Sequence, residues 1–172
     1  CWRGIARDTL PDYMQNNNYE IWGDAPGLRI GFGKVWDDEV YWFATDCTPE
    51  GEKDTDNQII MKLLEKFKNF GPIVTDLISS TNASTIIRSD IHDFLPIKHW
   101  WKGRVALLGD AAHATTPNLG QGGCQAIEDG WAIAQCLKNN PAPRDAFTVY
   151  QNYRYTKAKL VLDMSWSFGE LT

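Results

Sequence analysis

One stretch of the sequence, residues 102–137, constrains the fold more than any other part of the chain. It reads KGRVALLGDAAHATTPNLGQGGCQAIEDGWAIAQCL, so a short apolar run leads into an acidic residue, a turn with proline, and a glycine-rich start to a helical pattern. The apolar run at 105–108 is typical of a strand that is covered on both faces. This order predicts a strand–turn–helix unit with a ligand site at the end of the strand.

The residues after this strand have the chemistry of a site for a large polar molecule. Gly109 ends the strand and Asp110 follows it, at the edge where open α/β sheets bind ligands. The Asp110 carboxylate can accept two hydroxyl hydrogen bonds, which suits a sugar or a polyol. Gly120, Gly122 and Gly123 carry no Cβ, so a ligand can approach the backbone closely.

The helix that follows is predicted to be amphipathic. Its expected apolar stripe consists of Ala126, Ile127, Ala134 and Leu137, broadened by Trp131 and Ile133. The first turn of such a helix leaves N–H groups unpaired and carries about half a positive charge. This end therefore favours an anion, or a ring that becomes anionic on reduction.

These residues resemble the second flavin motif of the class A FAD-dependent monooxygenases with the p-hydroxybenzoate hydroxylase fold. Residues 109–113, Pro117 and residues 120–123 match that motif position by position. The Gly-Gly-Cys variant at 122–124, followed by AIED at 126–129, is most similar to the zeaxanthin epoxidase-like branch. The resemblance spans most of the chain and is strongest at the motif itself.

The resemblance implies a role for each matching residue. Asp110 would hydrogen-bond the ribityl chain of FAD, and Pro117 would lie beside the isoalloxazine ring. The backbone N–H groups of Gly122, Gly123 and Cys124 would face the pyrimidine edge of the ring and stabilise negative charge on the reduced flavin. His113 would be mainly structural. The implied cofactor-binding residues are Gly109, Asp110, Pro117, Gly120, Gly122, Gly123 and Cys124.

The resemblance also implies a reaction. In this family NAD(P)H reduces the FAD, and O2 then supplies one oxygen atom to an organic substrate. A hydrophobic or aromatic substrate that is hydroxylated or epoxidised is therefore expected. No residue stands out as a general base, so the catalytic residues are left unassigned.

The family's first flavin motif is missing from this sequence. No G-x-G-x-x-G turn occurs, and the nearest run, at 31–36, has Trp36 where the third glycine belongs. The family's Asp-Gly motif is also absent. We therefore expect the C-terminal portion of a longer enzyme, whose N-terminal FAD-binding region is supplied in cis or in trans. Alone, the chain should bind FAD weakly.

The fold class expected is a mixture of α/β and α+β, as in the C-terminal part of a Rossmann-like FAD-binding fold with an antiparallel substrate-domain sheet. Residues 1–99 are expected to form the substrate-domain sheet and its helices. Residues 100–140 would form the flavin strand–turn–helix, and residues 141–172 a C-terminal helix. Weaker resemblance to the substrate-domain sheet occurs at residues 1–4 and 40–44.

Local patterns predict the elements of the first half. Strand candidates rich in aromatic and β-branched residues, joined as a meander, lie at 1–6, 19–23, 28–35 and 39–46. In the last of these, Tyr41 and Phe43 share one face while Trp42 lies on the other, and the sequence leaves open which face is free.

Helices and one more strand follow. Asp54 or Thr55 can cap a helix that runs to about Phe70, and a second, short helix is expected at 73–79. A strand is expected at 85–91. The last helix is expected from about Arg144 to at least Trp166, because Asn and Pro residues at 139–143 interrupt the preceding helix.

Composition excludes several classes of partner. With 17 basic and 22 acidic residues, the net charge is −5 and no basic run occurs, so nucleic acid and anionic membranes are poor partners. No apolar stretch approaches the roughly 20 residues that a membrane span needs. The four cysteines lack CxxC spacing, which favours reduced thiols and a cytoplasmic location. The three histidines match no compact ligand pattern, so no metal is expected.

Other functions remain open. Arg3 and Arg88 could bind an anionic substrate, although pairing within the sheet is the simpler interpretation. A halogenase or a geranylgeranyl-type reductase would carry a similar flavin motif, and a non-catalytic binding module is a further alternative. Reduction by NADPH without oxygen insertion would distinguish a reductase.

Overall fold

A five-stranded antiparallel sheet forms the first half of the chain, in the order β2-β3-β4-β1-β5. A computed structural model describes residues 1–8 and 10–171. The strands are β1 (Trp2–Arg7), β2 (Asn18–Trp22), β3 (Arg29–Trp36), β4 (Glu39–Thr45) and β5 (Ile87–Arg88). The mixed fold class with an antiparallel sheet is confirmed. Strands β2 to β4 form the expected meander, but β1 pairs with the far edge of β4, so the first strand is not part of it.

The covered face of the sheet is the one that carries Trp42. Val40, Trp42 and Ala44 are fully buried, whereas Tyr41 on the opposite face is exposed. Helices α1 (Asp56–Lys66) and α2 (Pro72–Ser79), together with the residue that directly follows α1, supply the apolar side chains that complete this core. These are Ile59, Leu63, Phe67, Val74, Leu77 and Ile78.

The first helix is shorter than predicted. It ends at Lys66, and a 3₁₀ turn at Lys68–Phe70 follows. Gly71 then adopts a φ of 95°, which residues with a side chain rarely adopt, and Pro72 opens α2. The strand expected at 85–91 is also shorter, because a 3₁₀ turn occupies Ala83–Thr85.

Asp54 does not cap α1, and the Thr55 side chain makes no capping bond either. The Asp54 carboxylate instead accepts hydrogen bonds from Trp2 Nε1 at 2.7 Å and Lys62 Nζ at 3.0 Å, and it pairs with Arg88 Nη1 at 3.0 Å. Burial by itself would raise the pKa of Asp54, but these partners outweigh it and lower the pKa. The residue predicted as a cap therefore ties β1, β5 and α1 together.

Trp42 is the largest fully buried side chain of this core. A Cβ at Gly4 on the neighbouring strand would lie 2.7 Å from its ring, so Gly4 leaves the space that the indole fills. The indole N–H donates to Thr81 Oγ1 at 2.8 Å, and that hydroxyl donates to the carbonyl of Leu77 at 2.7 Å. The polar edge of Trp42 is thus satisfied inside the core.

The second half consists of a hairpin and three α-helices. The hairpin is β6 (Trp101–Lys102) with β7 (Val105–Ala106), and the helices are α3 (Asp110–His113), α4 (Gly122–Asn139) and α5 (Pro143–Leu171). The expectation of a strand at 105–108 covered on both faces is wrong within this unit. Val105 and Leu108 are 64% and 40% exposed, because β7 pairs only with β6 among the described residues.

The expected apolar stripe of α4 is also wrong. The buried residues of this helix are Gln125, Asp129 and Ala132, whereas Ile127 and Trp131 are 76% and 62% exposed. The reason is electrostatic, because α5 presents the buried Arg154 to this face and a carboxylate and an amide bind it.

The chain divides into two compact units, Cys1–Asp90 and Ile91–Leu171. This division differs from the predicted functional parts, since α4 and α5 belong to one unit. The assignment of 1–99, 100–140 and 141–172 to separate functional parts stays a prediction. Among the helices described, none combines the length and the apolarity that a membrane span requires.

Replacing Thr81 by Val should destabilise the first unit by about 1–3 kcal/mol, because the buried Trp42 N–H would lose its acceptor. Chemical denaturation would measure the free energy of unfolding. Thr75→Val is the matched control, since it also removes a hydroxyl-to-carbonyl bond, but one that is exposed to solvent. Equal effects of the two variants would contradict this account.

Candidate functional site

The turn that carries Asp110 begins at Gly109, whose backbone conformation favours glycine over residues with a side chain. Gly109 has φ 57° and ψ −142°, and a Cβ there would lie 3.0 Å from Ala126 Cβ. The backbone then forms the single helical turn α3, with the N–H groups of Ala112 and His113 both donating to the Gly109 carbonyl. Asp110 is the first residue of this turn and is exposed. Within the described residues its carboxylate forms no ion pair, so it is available to a ligand.

A buried carboxylate holds this turn from behind. Asp129 on α4 has no exposed surface, and its Oδ2 accepts the Gly109 N–H at 2.8 Å. The same oxygen lies 2.6 Å from His113 Nε2. The other oxygen accepts from Arg154 Nε, also at 2.6 Å. Burial alone would raise the pKa of Asp129, but the hydrogen bonds from His113, Arg154 and Gly109 outweigh it and lower the pKa.

Arg154 is the cation at the centre of this cluster. Its Nη2 donates to the side-chain oxygen of Gln125 at 2.8 Å, and its Nη1 pairs with Glu128 at 2.6 Å. Lys157 binds the outer side of Glu128. Each charge in the buried part of the cluster therefore has an opposite charge and hydrogen bonds, which is the condition for burying an ion pair without a large loss of stability.

Aromatic side chains close the cluster from the other side. Trp100 is fully buried, with its ring centroid 5.1 Å from that of His113 and 5.7 Å from that of Tyr150. The Tyr150 hydroxyl donates to the carbonyl of Leu107 at 3.2 Å. Burial, and then the Asp129 charge, raise the pKa of Tyr150 far above its usual range, so this phenol remains a donor.

The proline turn is fixed separately, against α5. Pro117 begins a 3₁₀ turn (Pro117–Leu119), and Gly120 follows it with a φ of 62°, which is in the left-handed region. The hydroxyl groups of Thr116 and Ser165 are hydrogen-bonded to each other, and the Ser165 hydroxyl also donates to the Thr116 carbonyl at 2.7 Å. Asn118 Nδ2 donates to the Ser165 carbonyl at 2.9 Å. Pro117 itself is left exposed.

The N-terminus of α4 is uncapped. Gln121 is in the capping position but its side chain makes no capping bond, and no other side chain among the described residues is bonded to the first N–H groups of the helix. Gly123 and Cys124 are exposed, Gly122 is half-buried, and a Cβ at Gly123 would meet nothing within 4 Å. An anion or an anionic ring edge can therefore approach these donors.

The predicted site residues thus lie in consecutive turns of the second unit. A free carboxylate at Asp110 can accept hydroxyl hydrogen bonds, and the α4 N-terminus can donate to a negatively charged group. This donor and acceptor set fits FAD, which has a polyol chain and a ring that becomes anionic on reduction. The contacts of individual residues with the cofactor stay a prediction.

Sequence reasoning missed the residues that support these turns. None of Asp129, Arg154 and Ser165 is among the predicted site residues. One signal was present, since Gln125, Asp129 and Ala132 share one helical face, and polar residues on a packed face indicate a buried partner.

The free face of the first unit's sheet carries a second candidate site. A cleft of about 650 Å³ lies over β1 and β4, with Ile5, Tyr41 and Ile87 as its large apolar side chains and Arg3 beside them. The sequence did not decide which face of β4 is free, and the structure shows that it is the face with Tyr41. Arg88 is not available to an anionic substrate, because it pairs with Glu52 and Asp54.

Three similarities to known proteins bear on this geometry. The FAD binding domain family profile matches residues 8–165. The aurachin C monooxygenase/isomerase of Stigmatella aurantiaca is 39% identical over 170 residues, which cover 99% of this chain and 43% of that protein. Zeaxanthin epoxidase of Oryza sativa subsp. japonica is 40% identical over 148 residues, covering 81% and 21% of the two chains.

A solved structure is also similar. Klebsiella pneumoniae HpxO, crystallised with FAD and uric acid, superposes with a TM-score of 0.87 at 27% identity and covers 98% of this chain and 43% of that one. The chain spans less than half the length of each of these proteins.

Acid should destabilise the second unit through Asp129. Because the pKa of Asp129 is lowered in the folded state, its stabilising contribution is fully present above the ordinary carboxylate pKa of about 4. That contribution is lost as the pH falls through the lower folded-state value. The difference in free energy of unfolding between the wild type and Asp129→Asn should therefore shrink below about pH 4. Urea titrations at several pH values would measure it, and a constant difference would contradict the assignment.

Proposed function

The chain belongs to the FAD-binding domain family of class A FAD-dependent monooxygenases, and from this we propose that it forms part of an enzyme that uses NAD(P)H and O2 to hydroxylate or epoxidise an organic substrate. The observation that supports the proposal is that the second unit has both a free Asp110 carboxylate and an uncapped, glycine-rich start of α4. An acceptor for the ribityl hydroxyl groups and donors for an anionic ring edge are what the flavin half of this cofactor needs.

Each residue of the site has a distinct task in this proposal. Asp110 accepts hydrogen bonds from the ribityl hydroxyls, while Gly109 and Gly120 let the two turns adopt left-handed backbone angles. Pro117 forms a rigid wall beside the ring. The N–H groups at the start of α4, from Gly122 to Cys124, stabilise negative charge on the reduced ring. When bound, FAD supplies the redox chemistry, and the protein supplies orientation and exclusion of water.

A further FAD-binding region, in cis or in trans, completes the site in this proposal. The second unit exposes apolar surface to solvent at Val105 in β7, at Leu108 shortly after it, and at Ile127 and Trp131 on α4. Exposed apolar patches of this kind mark interaction surfaces. The greater length of the relatives also supports a further region, which would bind the ADP half of FAD.

The substrate is proposed to be hydrophobic or aromatic. The cleft on the free face of the first unit's sheet supports this, because Ile5, Tyr41 and Ile87 line it and aromatic and aliphatic walls are typical of small-molecule sites.

All four cysteines are free thiols, which supports a reducing compartment such as the cytoplasm.

An absorbance spectrum of the complete flavoprotein tests the function. The protein should be yellow, should bleach with NADPH or NADH under anaerobic conditions, and should regain its colour with oxygen. Incorporation of ¹⁸O from labelled O2 into a hydrophobic or aromatic substrate would then establish monooxygenation. A protein that is reduced but transfers no oxygen would favour a reductase, and a protein that cannot be reconstituted with FAD would overturn the proposal.

Replacing Gly123 by Ala should weaken FAD binding without weakening the fold. The new Cβ meets nothing within 4 Å, and alanine favours a helix over glycine by about 0.5–1 kcal/mol, so thermal stability should hold or rise. The methyl group would nevertheless stand where the cofactor approaches the backbone, so the Kd for FAD should rise by about tenfold or more, equivalent to about 1.4 kcal/mol.

Gly130→Ala is the matched control for this variant. Gly130 lies on the same helix with equally open space, about 10 Å further along the axis. It should gain similar stability and keep the wild-type Kd. Equal Kd values for all three proteins would remove the α4 N-terminus from the site.

A further inference from the structure

Both ends of the Asp110 turn are tied to a single oxygen atom. Asp129 Oδ2 accepts a hydrogen bond from the N–H of Gly109, the residue immediately before Asp110. The same oxygen contacts Nε2 of His113, the last residue of the turn. The side chain between these two anchors is the exposed carboxylate of Asp110. The clamp is fully buried, so water does not compete for its bonds.

We propose that Asp129 is a positioning residue for the cofactor, one that orients Asp110 by clamping the turn at Gly109 and His113. This inference rests on the proposed function, in which Asp110 binds FAD. It adds a residue that would not touch the cofactor and yet would determine how tightly the cofactor is bound.

The turn needs such a clamp for a physical reason. A single helical turn is not stable by itself, because it fixes several backbone angles for few hydrogen bonds. In this turn the N–H groups of Ala112 and His113 donate to the Gly109 carbonyl, and the Ala112 carbonyl accepts the Ile97 N–H. If the turn fluctuated, it would lose conformational entropy when its carboxylate binds hydroxyl groups, and this loss would weaken binding. A clamped turn is already ordered before the ligand binds.

Asp129 is itself held so that it can act as a clamp. Arg154 Nε donates to Oδ1 at 2.6 Å, and the same guanidinium is bound by Gln125 and Glu128. This pairing leaves Oδ2 for the two contacts to the turn. The α5 helix thereby fixes the direction of the carboxylate through Arg154.

A double-mutant cycle in the complete flavoprotein tests the proposal. The Kd for FAD would be measured for the wild type, Asp110→Ala, Asp129→Asn and the double variant. Asp110→Ala should raise the Kd by about 10- to 150-fold, because hydrogen bonds with a charged acceptor are lost. Asp129→Asn alone should raise it about tenfold. In the Asp110→Ala background it should change the Kd by less than about twofold, because the group that it positions is gone.

Thermal unfolding of the four apoproteins separates this role from a structural one. Asp129→Asn should lower the melting temperature equally with and without Asp110, since Asp110 is exposed and unpaired. Effects on stability should thus be additive while effects on the Kd are not. If the two losses of affinity multiply instead, Asp129 acts through the fold alone and the proposal is overturned.

Two further variants complete the design. Glu128→Gln is the matched control, because Glu128 binds Arg154 from the neighbouring position of α4 but does not touch the turn, and it should leave the Kd within about twofold. His113→Phe removes the ring nitrogen of one anchor while leaving the Asp129–Arg154 pair, so it serves if Asp129→Asn does not fold, with the same non-additivity expected.

The outcomes for the site and for the clamp are distinguishable. A Kd unchanged by Asp110→Ala would remove the ligand role of Asp110, and this inference with it. A raised Kd for Asp110→Ala, together with a wild-type Kd for Asp129→Asn and His113→Phe, would leave the proposed cofactor site in place and overturn the clamp alone.

Discussion

The buried ion pair between Asp129 and Arg154 is the interaction on which the second unit depends. Two charges without access to water are costly unless each is paired and hydrogen-bonded. Here Gly109, His113, Gln125 and Glu128 contribute the remaining bonds. The hydrogen bonds of the pair can all form only when α3, α4 and α5 adopt one arrangement. This arrangement fixes the positions of the turns at the edge of the unit.

The functional surface consists of the groups that this arrangement leaves unsatisfied. Asp110 is exposed without an ion-pair partner in the described chain, and no side chain caps the N–H groups at the start of α4. Unpaired polar groups at a surface are bound by water or by a ligand, and a rigid arrangement of them favours a ligand of complementary shape. Packing inside the unit thus fixes where its ligand-binding groups stand.

The first unit follows the same principle with different chemistry. Its sheet is closed on one face by α1 and α2, and the indole of Trp42, bonded to Thr81, fills the centre of that core. The other face keeps a cleft beside Tyr41 and Ile87. A sheet with one closed face and one open face provides a rigid floor for binding, because the open side chains stand on a backbone that the core already holds.

The sequence by itself determined the local structure and the chemistry of this protein. Runs rich in aromatic and β-branched residues predicted β1 to β4, and the helices expected up to about Phe70 and at 73–79 predicted α1 and α2. The motif from Gly109 to Cys124 predicted a flavin site. These features are encoded in backbone preferences and in residues close together along the chain. The tertiary structure decided which faces are covered. It buried Asp129 and exposed Ile127 and Trp131, the reverse of what the hydrophobicity of α4 predicts, because Arg154 lies 25 residues beyond Asp129. Local periodicity does not report a charge supplied by a distant helix.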